Sequence, residues 1–323
     1  MNEGHHFLRR FGKRLLAGTF LAFVSQAGFA EAARTCIVND PHFALGANLY
    51  HPKEGVGHKV IGRIQPPSAV AEPAWGLSQW NSKNPLSGQP KPSMQGDGYL
   101  EWSNRAKTIR FGVHESLDAD VHLGVNGAGE YPHGTRAPGE RWPALYLWQR
   151  FYGLPPIEKL SKVDFSLDAK LRDIRNLHTE GSYDPKHHAA QFTVFLTIQN
   201  KNKKSRDYGR YVWFGIPVYD SRRAKQPSHE QKDKFTGKFI YLVDYVLLSD
   251  DSVADRKWVH LEADLLSSIR RALLRASDKG FFSRPVNLND FAISSLNVGW
   301  EIPGVFTARI QIKDLQVCLD YAG

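Results

Sequence analysis

Apolar and polar positions alternate along much of the chain. Between 191 and 199, Phe192, Val194, Leu196 and Ile198 alternate with Gln191, Thr193, Phe195 and Thr197. Between 210 and 220, Val212, Phe214, Ile216 and Val218 alternate with Tyr211, Trp213, Gly215, Pro217 and Tyr219. Between 292 and 302, Leu296, Val298, Trp300 and Ile302 alternate with Ser295, Asn297, Gly299 and Glu301. Phe306, Ala308, Ile310 and Ile312 do the same against Thr307, Arg309, Gln311 and Lys313. A period of two predicts strands with one face on a core. The run 238–246 is apolar on both parities and predicts a buried strand. Weaker strand patterns cover 99–103, 107–114, 144–151, 163–172 and 258–263.

One segment has helical spacing. Leu265, Leu266, Ile269, Leu273 and Leu274 form a stripe after Asp264, a plausible N-cap, and Gly280 closes the element. This predicts one short amphipathic helix near 264–277, packed on the outside or an end of a sheet. Segments 66–92 and 124–143 are rich in turn residues and predict long loops. About ten strands with one helix point to an all-β, two-sheet β-sandwich, with a jelly roll the better fit and a barrel the alternative.

The first 32 residues stand apart. Arg9, Arg10, Lys13 and Arg14 precede an apolar run at 15–24, and Ala30-Glu31-Ala32 supplies a cleavage site. This reads as a secretory signal peptide, since ten apolar residues are too few for a transmembrane segment. It makes 33–323 a single jelly-roll domain, secreted or periplasmic. The chain carries 42 Lys and Arg against 33 Asp and Glu, a net +9. A leader with four basic and two acidic residues takes +2 with it and leaves +7. Outside the cell, that charge favours an anionic polysaccharide over nucleic acid. The two cysteines, Cys36 and Cys318, exclude a cysteine-rich scaffold. In an exported chain they predict a disulfide, which requires the first and last strands to be neighbours; two buried thiols are the alternative.

Candidate chemistry follows from the parities. Tyr211, Trp213 and Tyr219 share the face opposite an aliphatic one, and such rows offer stacking platforms for sugar rings unless a loop or the helix covers them. Trp258, His260 and Glu262 share one parity of the next strand, and Asn297 shares that of Glu301. Glycoside hydrolysis needs two carboxyl groups at a defined separation. Glu301, Glu262 and Glu101 are the candidate catalytic acids, with Asp244 a further one. Elimination on a uronic-acid polymer would instead use a tyrosine or histidine with cations and amides; Tyr211, His260, Arg210, Gln149 and Arg150 are the material for it. No metal site is read: His187-His188 lacks a third ligand. No cofactor is read either, although Asn39-Asp40 or Asp250-Asp251 with Asp255 could hold a structural calcium. The glycine-rich stretch 124–129 matches no phosphate loop and reads as a turn.

The stretches 142–149 (WPALYLWQ), 163–167 (VDFSL) and 293–301 (ISSLNVGWE) resemble those of secreted concanavalin-type jelly-roll proteins, a group that includes glucanases, lyases and carbohydrate-binding modules. The likeness covers roughly residues 95 to 320 and implies the fold and a glycan partner, without catalytic residues to carry over. The leading expectation is a polysaccharide-cleaving hydrolase. It would use Glu301 and Glu262 as a pair and bind substrate on Tyr211, Trp213, Tyr219, Trp258, His260, Asn297 and Gln149. A non-catalytic carbohydrate-binding protein, a lyase and a structural envelope protein are the alternatives.

Overall fold

The computed structural model describes residues 34–53, 59–112, 118–233 and 236–322. The expected leader lies outside these residues. Two sheets pack face to face through the aliphatic parities noted above. The eight-stranded sheet runs Val259–Asp264, Leu160–Asn176, Phe306–Tyr321, Val121–Asn126, Lys107–Gly112, Tyr99–Ser103 and Ser93–Met94, with Arg34–Cys36 also paired to Phe306–Tyr321. The nine-stranded sheet runs His229–Lys232, Phe239–Leu242, Tyr211–Asp220, Gln191–Asn200, Phe291–Glu301, Ala144–Arg150, Trp75–Ser78, Ala47–Tyr50 and Val60–Ile64. The architecture is the mostly-β two-sheet sandwich that the alternation predicts. Its inner faces meet through fully buried side chains such as Phe192, Phe214, Leu296 and Trp300 from one sheet and Phe111, Leu123, Phe165 and Ile310 from the other.

Arg34–Cys36 pairs antiparallel with the end of Phe306–Tyr321, with Cys36 directly opposite Cys318. The two form the expected disulfide. A chain that closes its first strand onto its last and bridges them is stable in an oxidising compartment. Among the described residues no helix is long and apolar enough to cross a membrane.

Several elements differ from the pattern. The apolar run 238–246 is a strand only over Phe239–Leu242 and then a 3-10 turn at Tyr245–Leu247, because Asp244 caps the turn by accepting from the Val246 amide at 3.2 Å. The loop expected at 66–92 contains the strand Trp75–Ser78, too short for a clear alternation and buried on both sides. The stretch 124–129 is the end of a strand followed by a single helical turn, Gly127–Glu130. The helix spans Leu266–Asp278, and the Asp264 carboxylate accepts from the Leu266 amide at 3.0 Å. It touches Leu160–Asn176 of one sheet and Tyr211–Asp220 of the other, so it plugs the open side of the sandwich. Leu274 departs from the expected stripe: it is exposed, and Ala272 and Ala276 face inward instead.

The outer face of the eight-stranded sheet is half-covered and charged. Burial, and then the charge of Arg110, push the His122 pKa down to about 4. His122 is therefore neutral when folded and protonates more readily when unfolded, at its ordinary 6.5. Stability from this group is full above pH 6.5 and is lost as pH falls towards 4, by about 3 kcal/mol. In His122→Asn, urea titrations at a series of pH values should show a shallower acid limb. A limb of unchanged depth would remove His122 as its source.

Candidate functional site

The outer face of the nine-stranded sheet is aromatic. Five strands contribute to it: Ala47–Tyr50, Ala144–Arg150, Phe291–Glu301, Gln191–Asn200 and Tyr211–Asp220. Trp148 lies opposite Asn297, Asn297 opposite Phe195, and Phe195 opposite Gly215, so one row crosses four strands in register. The rings lie over glycines of neighbouring strands. A Cβ on Gly76 would sit 2.5 Å from the Trp148 ring, and one on Gly215 would sit 2.8 Å from the Phe195 ring. Removing those two side chains lets the rings lie down as a floor.

The rings form a connected band. Trp80 meets Tyr146 at 5.8 Å between centroids, Tyr146 meets Phe195 at 6.3 Å, Phe195 meets Trp213 at 6.3 Å and Trp213 meets Tyr211 at 5.9 Å. Tyr50 and Trp148 pair beside it at 5.0 Å. Trp148, Phe195, Trp213 and Tyr211 are all partly open to solvent. The Lys238 ammonium lies 4.5 Å over the Tyr211 ring. Burial raises the Tyr211 phenol above its ordinary pKa, so it stays protonated and able to donate. Among the described residues the Asn297 amide makes no side-chain hydrogen bond, although it sits between two rings.

Carboxylates reach this face at one end. Gln191 lies opposite Glu301 on one side and Asp220 on the other. Asp220 is buried and accepts from Gln191 Nε2 at 2.9 Å and from Arg222 Nε and Nη2 at 2.8 and 2.6 Å. Glu301 stands beside the buried Tyr146 hydroxyl. Burial first, and then the Glu301 charge, raise that phenol well above its usual pKa.

The remaining expected site residues lie elsewhere. The register shift between Phe192 and Thr193 adds a residue to the partner strand at Val218. Side-chain parity flips there, so Tyr219 leaves the face of Tyr211 and Trp213 and packs on Trp300 at 6.0 Å, towards the core. Asp220 is turned outward by the same bulge. Gln149 is on the inner parity of its strand and 2% exposed, where it accepts from Asn39 N at 3.0 Å and donates to Asn39 O.

Trp258, His260 and Glu262 belong to the other sheet. Val259 and Leu261 are its inward residues there, so His260 and Glu262 point away from the core. His260 hydrogen-bonds Asp168 at 2.6 Å, which raises its pKa, and Trp258 donates to Asp118 at 3.0 Å. Glu101 is also on that sheet, 3.6 Å from Arg110. The sheets are stacked about 10 Å apart with Glu301 and Glu262 on opposite outer sides, so these two cannot flank one glycosidic bond. The set considered for elimination is dispersed as well. Arg210 is bound to Asp207 at 2.9 Å, His260 is on the other sheet and Gln149 is in the core. Asp40, considered for calcium, accepts from the amides of Ala44 and Leu45 at 2.8 and 3.0 Å. Sequence reasoning missed Trp148, Tyr146, Phe195 and Tyr50. The signal for the first two was available, since they share one parity within 144–150.

No family model and no curated protein matches the chain by sequence. Solved structures are similar in fold. An endoglucanase, cel12A of Rhodothermus marinus, is 13% identical with a TM-score of 0.38, over 70% of this chain and 94% of that one. A family 12 xyloglucanase from Bacillus licheniformis is 11% identical with a TM-score of 0.40, over 75% of this chain and 99% of that one. A family 11 xylanase from Neocallimastix patriciarum is 10% identical with a TM-score of 0.36, over 72% and 96%.

Proposed function

We propose that the outer face of the nine-stranded sheet binds a polysaccharide chain. The connected band of rings, four of them half-open, with an unpartnered amide at its centre carries this reading. Sugar rings present apolar C–H faces that stack on Trp148, Phe195 and Trp213, while Asn297 and the Tyr211 hydroxyl address ring hydroxyls. Export, from the leader at 1–32 together with the disulfide, would place the protein where such polymers occur. Affinity electrophoresis over a panel of neutral polysaccharides tests the reading. The protein should be retarded by at least one polymer, and Trp213→Ala should weaken that about tenfold, which corresponds to about 1.4 kcal/mol. Retardation unaffected by Trp148→Ala combined with Trp213→Ala would remove this face as the site.

Hydrolysis is the second reading, favoured by the presence of Glu301 and Asp220 at one end of the same face. One strand separates them, so their backbones are about 10 Å apart. This reading predicts new reducing ends from the polymer that binds, abolished in Glu301→Gln with binding kept. Binding without any product leaves the protein a carbohydrate-binding module.

A further inference from the structure

The other outer face, on the eight-stranded sheet, holds a cleft of about 540 Å³. Its floor is a row in register across four strands: Gln311 opposite His122, His122 opposite Arg110, and Arg110 opposite Glu101. Arg309 lies in the next row, opposite Gly124, and Arg172 comes from the adjoining strand. None of these residues belongs to the aromatic face.

Three features describe what the cleft lacks. Arg110 is occupied: it donates to Asp97 at 2.5 Å, lies 3.6 Å from Glu101 and covers the Tyr99 ring at 4.9 Å. Arg172 and Arg309 line the same cleft and have no acidic partner among the described residues. Gln311 is 4% exposed and donates through Nε2 to His122 Nε2 at 2.9 Å, but its Oε1 is buried with no hydrogen-bond partner. Buried amide oxygens are almost always satisfied, so an orphan one on a residue that lines the cleft marks a place for a donor. Two free guanidinium groups mark a place for an oxyanion. Asp118, on the rim, offers a further acceptor.

A ligand that satisfies all of these carries a carboxylate and several hydroxyl donors. We propose that this cleft is a second saccharide site and that it takes a uronate residue, with its carboxylate on Arg172 and Arg309 and a ring hydroxyl donating to Gln311 Oε1. Inorganic phosphate meets the arginines but offers little to the amide oxygen. The site binds and does not cleave. The Tyr99 hydroxyl, on a tyrosine that lines the cleft, is fully used, donating to Ala119 O at 3.1 Å and accepting from Ala119 N at 2.8 Å. A proton-moving role on the sugar ring is therefore closed to it.

Isothermal titration with trimers of galacturonate, mannuronate and guluronate tests this, alongside a neutral trisaccharide and inorganic phosphate. At least one uronate trimer should bind, more tightly than phosphate and the neutral sugar. Arg172→Ala combined with Arg309→Ala should weaken it at least tenfold, and Gln311→Leu several-fold. Trp213→Ala should leave uronate affinity unchanged, which separates this site from the aromatic face. The proposal is overturned if no uronate trimer binds at millimolar concentration, or if phosphate binds as tightly as the trimer. It is equally overturned if the double arginine variant, whose side chains are on the surface, keeps full affinity.

Discussion

Replacing Cys36 and Cys318 together by serine should cost about 4 kcal/mol of folding stability. The bridge closes a loop with a sequence separation of 282, so it removes a large part of the unfolded chain's freedom. Beyond its three-residue ladder with Phe306–Tyr321, little else holds the first strand. Arg34–Cys36 is three exposed residues, anchored by the Ile37 amide donating to Val317 O at 2.9 Å and by Arg34 between Asp164 and Asp320 at 2.8 and 3.2 Å. Those ion pairs are half in solvent and contribute little. Without the bridge, this strand should fray first, leaving the end of Phe306–Tyr321 with one neighbour fewer. A urea titration of the double-serine variant against the oxidised protein measures the loss. Equal midpoints would mean that the pairing alone holds the ends.

Glu130→Gln is the second large effect, expected at about 3 kcal/mol or more. Lys107 is 3% exposed, and its ammonium donates to Glu130 at 2.9 Å, to Ser82 Oγ at 2.6 Å and to Asn84 O at 2.7 Å. Glu130 also accepts from Ser82 Oγ at 2.6 Å and from the Lys83 amide at 2.7 Å. Burial already lowers the Lys107 pKa, against the pull of Glu130. Removing the negative charge leaves an uncompensated buried cation, which costs far more than the intact pair contributes. Lys107→Met in the same chain should recover part of the loss, because no buried charge then remains alone. The network also fixes the segment that carries Trp80, whose carbonyl accepts from the Ala144 amide at 2.9 Å and whose ring meets Tyr146. Glycan affinity should therefore fall with stability in Glu130→Gln. Thermal melts of the single and double variants decide it, and a wild-type melting temperature in Glu130→Gln would show that the pair is not needed.

The sandwich was legible because its long strands alternate cleanly. The runs at 191–199, 210–220 and 292–302 became the three adjacent central strands of one sheet. The cysteine pairing was legible from position alone. The site was only half legible, because parity within a strand does not say which sheet the strand joins. His260 and Glu262 have the same pattern as Asn297 and Glu301, yet Val259–Asp264 pairs with Leu160–Asn176 and faces the other way. A single inserted residue at Val218 moved Tyr219 to the core and brought Asp220 out, and nothing in the alternation marks a bulge. The cleft row of Gln311, His122, Arg110 and Glu101 comes from four different strands, so only their register brings it together.

The most direct test of the central claim is a crystal structure of the protein with a tetrasaccharide of the neutral polymer that retards it. Sugar rings over Phe195 and Trp213, with a hydroxyl hydrogen-bonded to the Asn297 amide, are the predicted result. An oligosaccharide bound anywhere else, with that aromatic band left bare, would contradict it.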